Sequence, residues 1–548
     1  MKLFKFLTAA ASAAILMGIM GTVAYAYPSN VNVSFNYSGK YTENSTDYYY
    51  LNTNSGVSIL ACFTSATELT VPETINGQKV TAIEYAEGAA AGAFQSCTTL
   101  KKVTLPSSVT KIGKGAFSEC TSLTDINLEN VKTYEEGAFV STKLTNVTLN
   151  ANVTAIPKDC FKSIFTLKTV TIPSGSVMTS IENSAFANDY ALTSISVLPS
   201  SLRTIGESAF NGCSALGTIT LPESLTSIGT SAFSTSGLTS LTLPKSVKTL
   251  GTSAFSKCTY LKSVTMDKDS AITTIPSSCF ANCQFETITL PDRITTIESM
   301  AFSNCGALKS FTVPLKTTSI NSMAFSGCTV LKEFKVDSGN NAYSAVNGVL
   351  YSKDGKTLVL CPSGLDSVEI SSTATKIADK AFYRNTYLSS IIIPSNITEV
   401  GEEAFRYCAS LKTIVFNEGA STTIGKYAFA TCNNIVSVTL PASVNTIGPL
   451  AFTTGKSYTV YTTSGSAAET YFKNSAYSLV NVINDMSQNT RTVGDVNNDG
   501  SVNKKDIAKM LKHITGYSVL SDTDQNYADY NRLGTVDLMD SMALAKNI

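Results

Sequence analysis

The sequence contains no tryptophan and a single histidine, His513. The shortage of histidine excludes a broad class of chemistry. Ser–His and Cys–His catalysis need an imidazole beside the nucleophile, and His513 lies near the C-terminus. Without tryptophan, any stacking on sugar rings falls to smaller aromatic rings. Charge is sparse too: 15% of residues are charged and the formal net charge is zero. Such a chain has no basic field to draw in nucleic acid or anionic lipid. Long apolar runs are absent after the first, Phe6 to Met17, which follows Lys2 and Lys5 and precedes Ala24-Tyr25-Ala26. A basic start, a short apolar core and an A-x-A site read as a secretory signal, residues 1–26. The expectation is an exported protein with no membrane insertion after cleavage. An uncleaved anchor is the alternative, opposed by the shortness of the run.

What the chain has is repetition. One phrase is clearest as Leu105-Pro106-Ser107-Ser108-Val109-Thr110-Lys111-Ile112-Gly113, then Ala116-Phe117, then Cys120 and Leu123. Its Ala-Phe or Cys-Phe step returns from Phe94 to Phe325 and from Phe382 to Phe452, at spacings of 22 to 25 with one gap of 57. That period is the mark of a leucine-rich-repeat solenoid. Val103 and Leu105 alternate with Lys102 and Thr104 in the strand period, so the first pair should point inward. Pro106 removes a ladder donor and ends the strand. Ile112, Ala116, Phe117 and Cys120 then carry the chain back across the core. No coil buries its apolar face alone, so stacking supplies the stability.

Cysteine follows the same period. Nine of the thirteen cysteines stand three residues after the repeat Phe, and Cys160 and Cys279 replace the Ala before it. Positions fixed by a repeat are core positions, where cysteine acts as a small apolar residue. Free buried thiols are expected, with the pairing of Cys62 and Cys361 left open.

The unit resembles the BspA-like (treponemal-type) leucine-rich repeats of bacterial surface proteins. The resemblance implies an α/β leucine-rich-repeat solenoid, with a parallel β-sheet on its concave face, over residues 50–475 after an N-terminal segment 27–49. Asn347-Gly348 and Asp354-Gly355 mark turns in a β-hairpin insertion at about 338–362, and a cap is expected at about 456–475. Residues 476–491 read as a linker. The outward strand positions carry mostly Thr and Ser, among them Thr148, Thr171, Thr242, Thr265 and Thr439, and are interrupted by Ile392 and Val415. This face is either ordinary β-propensity or a binding platform for a protein or a glycan.

The last module is different. Asp495, Asn497, Asp499, Ser501, Asn503 and Asp506 place oxygen side chains at positions 1, 3, 5, 7, 9 and 12 of a loop, with Gly500 at the turn. Calcium takes about six to eight oxygens, which alternate side chains on a tight loop can supply. A second copy follows at an offset of 34: Asp529, Asn531, Thr535, Asp537 and Asp540. There Leu533 replaces the ligand Asp499, so a weakened site, or a turn without metal, is expected. Ile507, Met510, Leu511 and Ile514 follow the first loop with helical spacing. A calcium loop with an exit helix, present twice, resembles a type I-like dockerin module, here residues 492–548. The resemblance implies a small all-α fold, Ca2+ as the bound ion, and a scaffoldin cohesin as partner. It also places the cohesin contacts at Lys504, Lys505, Lys509, Lys512 and His513, and at Leu538 and Met539 of the second copy. The copies differ enough to expect one docking orientation.

The combination resembles cellulosome-associated proteins of anaerobic, ruminococcal-type bacteria. It points to a secreted, monomeric, non-catalytic component tied to polysaccharide breakdown and held at the cell surface through a scaffold. A glycoside-hydrolysing or carbohydrate-binding subunit is the alternative. It requires two carboxylates converging in a pocket, and the acids here are scattered through variable repeat positions.

Overall fold

The structure is a computed structural model that describes residues 35–86, 91–473, 480–484, 496, 504–514, 525 and 528. It divides into two compact units, 1–199 and 200–548. Both are built from stacked coils of one design.

In the first unit, Lys102–Thr104 forms the strand of a coil, with Val103 buried between exposed neighbours. It pairs in parallel with Glu68–Thr70 and Asp125–Ile126. A second parallel ladder runs through Lys111–Ile112, paired with Gln78–Ile83 on one side and Thr133–Tyr134 on the other. Between the ladders the coils come very close. A Cβ on Gly113 would lie 2.8 Å from Glu84 Cα, which is why this coil has glycine after its Ile.

The third side of each coil is a turn, and helix does not propagate there. Gly115 and Glu119 both take φ of +60°, a left-handed conformation that ends a helix within a residue or two. The turn is nonetheless hydrogen-bonded from coil to coil: Phe117 N–H donates to Ala138 O (2.8 Å) and Glu119 N–H to Val140 O (2.7 Å). The solenoid is therefore a parallel β architecture. Among the described residues, continuous helices are Ala467–Phe472 and Lys504–Ile514.

The repeat Phe rings stack at the pitch the strands impose. In the first unit Phe117 and Phe139 are 5.5 Å apart at 1°, and Phe139 and Phe161 5.4 Å at 3°. In the second, Phe233, Phe255 and Phe280 repeat at 5.5 Å. After the long gap, Phe405, Phe429 and Phe452 continue at 4.8 and 5.0 Å. Parallel strands lie about 4.8 Å apart, so rings at one repeat position lie face to face at close to that spacing.

All thirteen cysteines are free and buried, Cys62 and Cys361 included. Their positions carry a further regularity: seven of the nine ladder thiols donate to the carbonyl of the Phe one coil back. Cys120 reaches Phe94 O at 3.0 Å, Cys305 reaches Phe280 O at 3.1 Å and Cys432 reaches Phe405 O at 3.0 Å. Burial pushes the Cys97 thiol up to about 12 and that of Cys258 to about 11. A thiol at this position can donate a hydrogen bond, which a small apolar side chain could not do.

Six coils carry another residue here, Thr142, Ile164, Asp189, Ser236, Asn385 and Gly455, and two of these show what the position asks of a polar side chain. Asn385 fits, accepting from Leu388 N–H (3.0 Å) and donating to Pro362 O (3.2 Å). Asp189 fits less well: Oδ1 accepts from Ile164 N–H at 2.7 Å, but the buried Oδ2 has no partner. Burial pushes its carboxyl well above the usual range. The folded chain thus keeps a proton that the unfolded chain releases above about pH 4, and Asp189 costs stability increasingly as pH rises through that range. Asp189→Asn is expected to raise the melting temperature at pH 8, with the gain vanishing near pH 3.5, about the unfolded-state value. Thermal melts of both proteins at the two pH values check it.

The ends are closed by irregular pieces. Gly39–Glu43, Thr46–Thr53 and Gly56–Phe63 form an antiparallel sheet whose last strand pairs in parallel with Gln78–Ile83. The described part of segment 27–49 therefore belongs to the cap that starts the stack. In the 57-residue gap, Tyr343–Val346 and Val349–Ser352 form an antiparallel hairpin, turning at Asn347 and Gly348 with φ of +49° and +79°. A third strand, Thr357–Leu360, extends it and pairs in parallel with Lys376–Ile377. At the far end, helix Ala467–Phe472 is capped by Ser466, whose hydroxyl accepts from Glu469 N–H. Residues 476–491, read from sequence as a linker, contribute the strand Val480–Ile483. It pairs in parallel with Tyr458–Thr462, because Val480 and Val482 pack against the core beside that helix.

Candidate functional site

The helix Lys504–Ile514, with Val496, Gln525 and Ala528, is the described part of the C-terminal module. Asp506, in its first turn, and Met510, one turn on, are both fully buried. A fully buried carboxylate at the start of a helix is costly unless something compensates it. Lys509 Nζ donates to Val496 O at 2.9 Å, which ties the helix back to Val496. Lys504 and Lys512 are exposed and His513 is half-buried. Leu511 departs from the expected apolar face: it is 37% exposed, while Met510 is buried. Asp495, Asn497, Asp499, Ser501 and Asn503 lie outside the described residues, as do Asp529, Asn531, Thr535, Asp537, Asp540, Leu538 and Met539, and so does the signal segment 1–26. The donor set is oxygen alone, a chemistry that fits a hard cation such as calcium.

On the solenoid, the outward hydroxyls form cross-strand rows. Thr148 pairs with Thr171 in the first unit, and Ser240 with Ser263 and Thr242 with Thr265 in the second. All of these are exposed. Thr439 is a correction to the sequence reading, being only 6% exposed. Its ladder neighbours are Val415 and Tyr461, larger side chains that flank it on both strands. Ile392 and Val415, paired with each other, are half-buried.

Two grooves bear on the enzymatic alternative. One of about 840 Å3 is lined by Ser367, Ser390, Ile392, Asn396 and Asn417 with neighbours, and Glu369 is its only carboxylate. The other, about 410 Å3, includes Glu136 and Asp159. Lys158 lies 2.7 Å from Glu136 and 3.9 Å from Asp159, so the two carboxylates are close together. Yet hydrogen bonds from Lys158 and Lys114 hold the Glu136 carboxyl below the usual range. A glycosidase acid needs the opposite shift. The two carboxylates sit in an ion-pair cluster with Lys114, Lys158 and Lys162.

Sequence reasoning missed a row of aromatic and cationic side chains on the turn side of three coils: Tyr383, Arg384, Arg406, Tyr407, Lys426 and Tyr427. The expectation considered only the outward strand positions, and these residues lie off them. Among the described residues, no helix is long and apolar enough to cross a membrane.

Comparison with known families agrees with this geometry. Residues 73–193, 179–305, 267–347 and 359–481 match the family described as BspA type leucine rich repeat region (6 copies). Residues 493–548 match the dockerin type I domain. Both are non-catalytic modules, and type I dockerin domains bind calcium and dock onto cohesins. No curated protein matches the chain. Among solved structures, it is similar to a leucine-rich repeat protein from Bacteroides ovatus, with TM-score 0.50 and 20% identity over 83% of this chain and 100% of that one. That likeness speaks for the fold. It also matches a leucine rich cell surface protein from Faecalibacterium prausnitzii, with TM-score 0.36 and 29% identity over 55% of this chain and 96% of that one. The chain belongs to the BspA-type leucine-rich repeat family and carries a type I dockerin domain at its C-terminal end.

Proposed function

We propose that this chain is a secreted, non-catalytic cellulosome component, a dockerin that displays a protein-binding solenoid. In this reading residues 1–26 direct export. Asp495, Asn497, Asp499, Ser501, Asn503 and Asp506 hold calcium, and Asp529, Asn531, Thr535, Asp537 and Asp540 form a weaker second site without the carboxylate that Leu533 displaces. Calcium supplies the positive charge that lets the loop carboxylates crowd together, and so folds the module. The folded module then docks onto a scaffoldin cohesin, which fixes the solenoid outside the cell. The observation that carries the reading is the dockerin match at 493–548, joined to a fully buried Asp506 at the head of its helix.

Docking is assigned to the first copy, through Lys504, Lys505, Lys512 and His513, with Lys509 also bracing the loop. Leu538 and Met539 stand where the second copy has no lysines, so the two copies cannot present the same surface. The expected result is that K504L/K505M weakens binding to a panel of type I cohesin modules about tenfold or more, while L538K/M539K leaves it nearly unchanged. Surface plasmon resonance with the full mature chain measures both. Unchanged binding in both variants contradicts the assignment.

A further inference from the structure

The row on the turn side of the coils around Phe382, Phe405 and Phe429 has no counterpart in the preceding coils. There the two residues after the repeat Phe are small or polar: Asn211-Gly212, Ser234-Thr235, Ser256-Lys257, Ser303-Asn304 and Ser326-Gly327. Here they are Tyr383-Arg384 and Arg406-Tyr407, and Lys426-Tyr427 precedes the third Phe by two residues. The backbone fixes their spacing. Arg384 N–H donates to Arg406 O (3.0 Å), Glu403 N–H to Lys426 O (2.9 Å) and Tyr407 N–H to Ala430 O (3.1 Å).

The side chains interleave. The Arg384 guanidinium lies 5.8 Å from the Tyr383 ring and 5.5 Å from Tyr407. Arg406 sits 4.9 Å from Tyr407 and 5.0 Å from Tyr427, and Lys426 Nζ is 4.8 Å from Tyr427. Tyr383 meets Tyr407 edge-on at 5.5 Å. Cations over aromatic faces attract at this range, so the long side chains are held before any partner arrives. Glu403 is engaged internally, 3.0 Å from Arg406 and 3.7 Å from Lys380, and Asp379 accepts from Glu402 N–H. That leaves Arg384 and Lys426, both exposed, as the cations at the two ends, with Glu402 the remaining exposed acid.

We infer that this Tyr–Arg–Lys row is a docking surface for an acidic segment of a protein partner. The inference rests on the reading of the solenoid as protein-binding and gives that reading an address. Tyrosine and arginine are the residues that most often dominate protein interfaces. Prior ordering lowers the entropy lost on binding. A sugar ring would need a bare aromatic face, and the Tyr407 and Tyr427 faces are occupied by cations. What projects is guanidinium, ammonium and phenol, the groups that pair with carboxylates.

The test uses the full mature chain and a displayed library of random peptides, with R384E/K426E as the comparison. Both substituted residues are exposed, and circular dichroism confirms that the variant is folded. The expected selection enriches peptides bearing two or more Asp or Glu. Those peptides lose about tenfold or more in affinity for R384E/K426E and bind normally to a control, K245E/K268E, altered at exposed lysines of other coils. Polygalacturonate is the competitor that separates a glycan from a peptide. Acidic peptides that bind R384E/K426E unchanged, or binding of polygalacturonate in preference to every selected peptide, overturn the assignment. Peptides selected elsewhere on the solenoid refute this surface alone, whereas a selection that enriches nothing counts against protein binding by the solenoid as well.

Discussion

Replacing Phe255 with alanine is expected to cost about 3–5 kcal/mol, the range for deleting a fully enclosed aromatic ring. Three features put this residue at the top of the range. The ring is fully buried and has a Phe on each side at 5.5 Å, Phe233 and Phe280. Each such contact adds about 0.5–1.5 kcal/mol beyond simple burial. The gap cannot close, because the neighbouring coils are pinned across it: Phe233 N–H bonds Ala254 O at 2.8 Å and Phe255 N–H bonds Cys279 O at 2.9 Å. A cavity that cannot collapse carries the largest penalty. A solenoid adds a second consequence. Each coil touches only its neighbours, so a weakened interface uncouples the two halves of the stack. Urea unfolding followed by circular dichroism should therefore show an earlier transition that is also broader or split. An unshifted midpoint would mean that the stacked rings are not what holds the coils together.

The core was legible in the sequence because the period alone specifies it. Phe117, Cys120, Ile112 and Val103 recur at fixed offsets, and residues at fixed offsets in a solenoid occupy the same place in every coil. The second parallel ladder was harder to see. Its members, such as Lys111–Ile112, are two residues long, too short to show alternation. The strand Val480–Ile483 was hidden for another reason: it lies outside the repeat period, and only the end of the stack offers it a partner. Leu511 shows the limit of helical spacing, since Met510 and Leu511 both count as apolar although successive residues stand about 100° apart round a helix. The Tyr–Arg–Lys row was invisible for a geometric reason. Tyr383-Arg384 and Arg406-Tyr407 have opposite orders in the chain, and only the stacking of coils sets Arg384 against Tyr407. The proposed calcium ligands come from the sequence alone, and the described residues add one physical fact, the complete burial of Asp506.

That burial leads to the prediction of largest effect. Loop carboxylates brought together without a cation repel one another, and a buried one is worse placed than the rest. Removing calcium is therefore expected to unfold the module, with the helix Lys504–Ile514 losing the loop that starts it. Because the ligands have no preformed site in the unfolded module, metal binding and folding should be one transition. The solenoid has no part in this. Its coils carry their own core of Phe and Cys, so its melting should be indifferent to the ion.

Binding of the full mature chain to a type I cohesin module, titrated calorimetrically with calcium and again after chelation, tests the attachment directly. The account predicts tight one-to-one binding with calcium, a loss of about 100-fold or more after chelation, and full recovery when calcium is restored. Equal affinity in both conditions would contradict it.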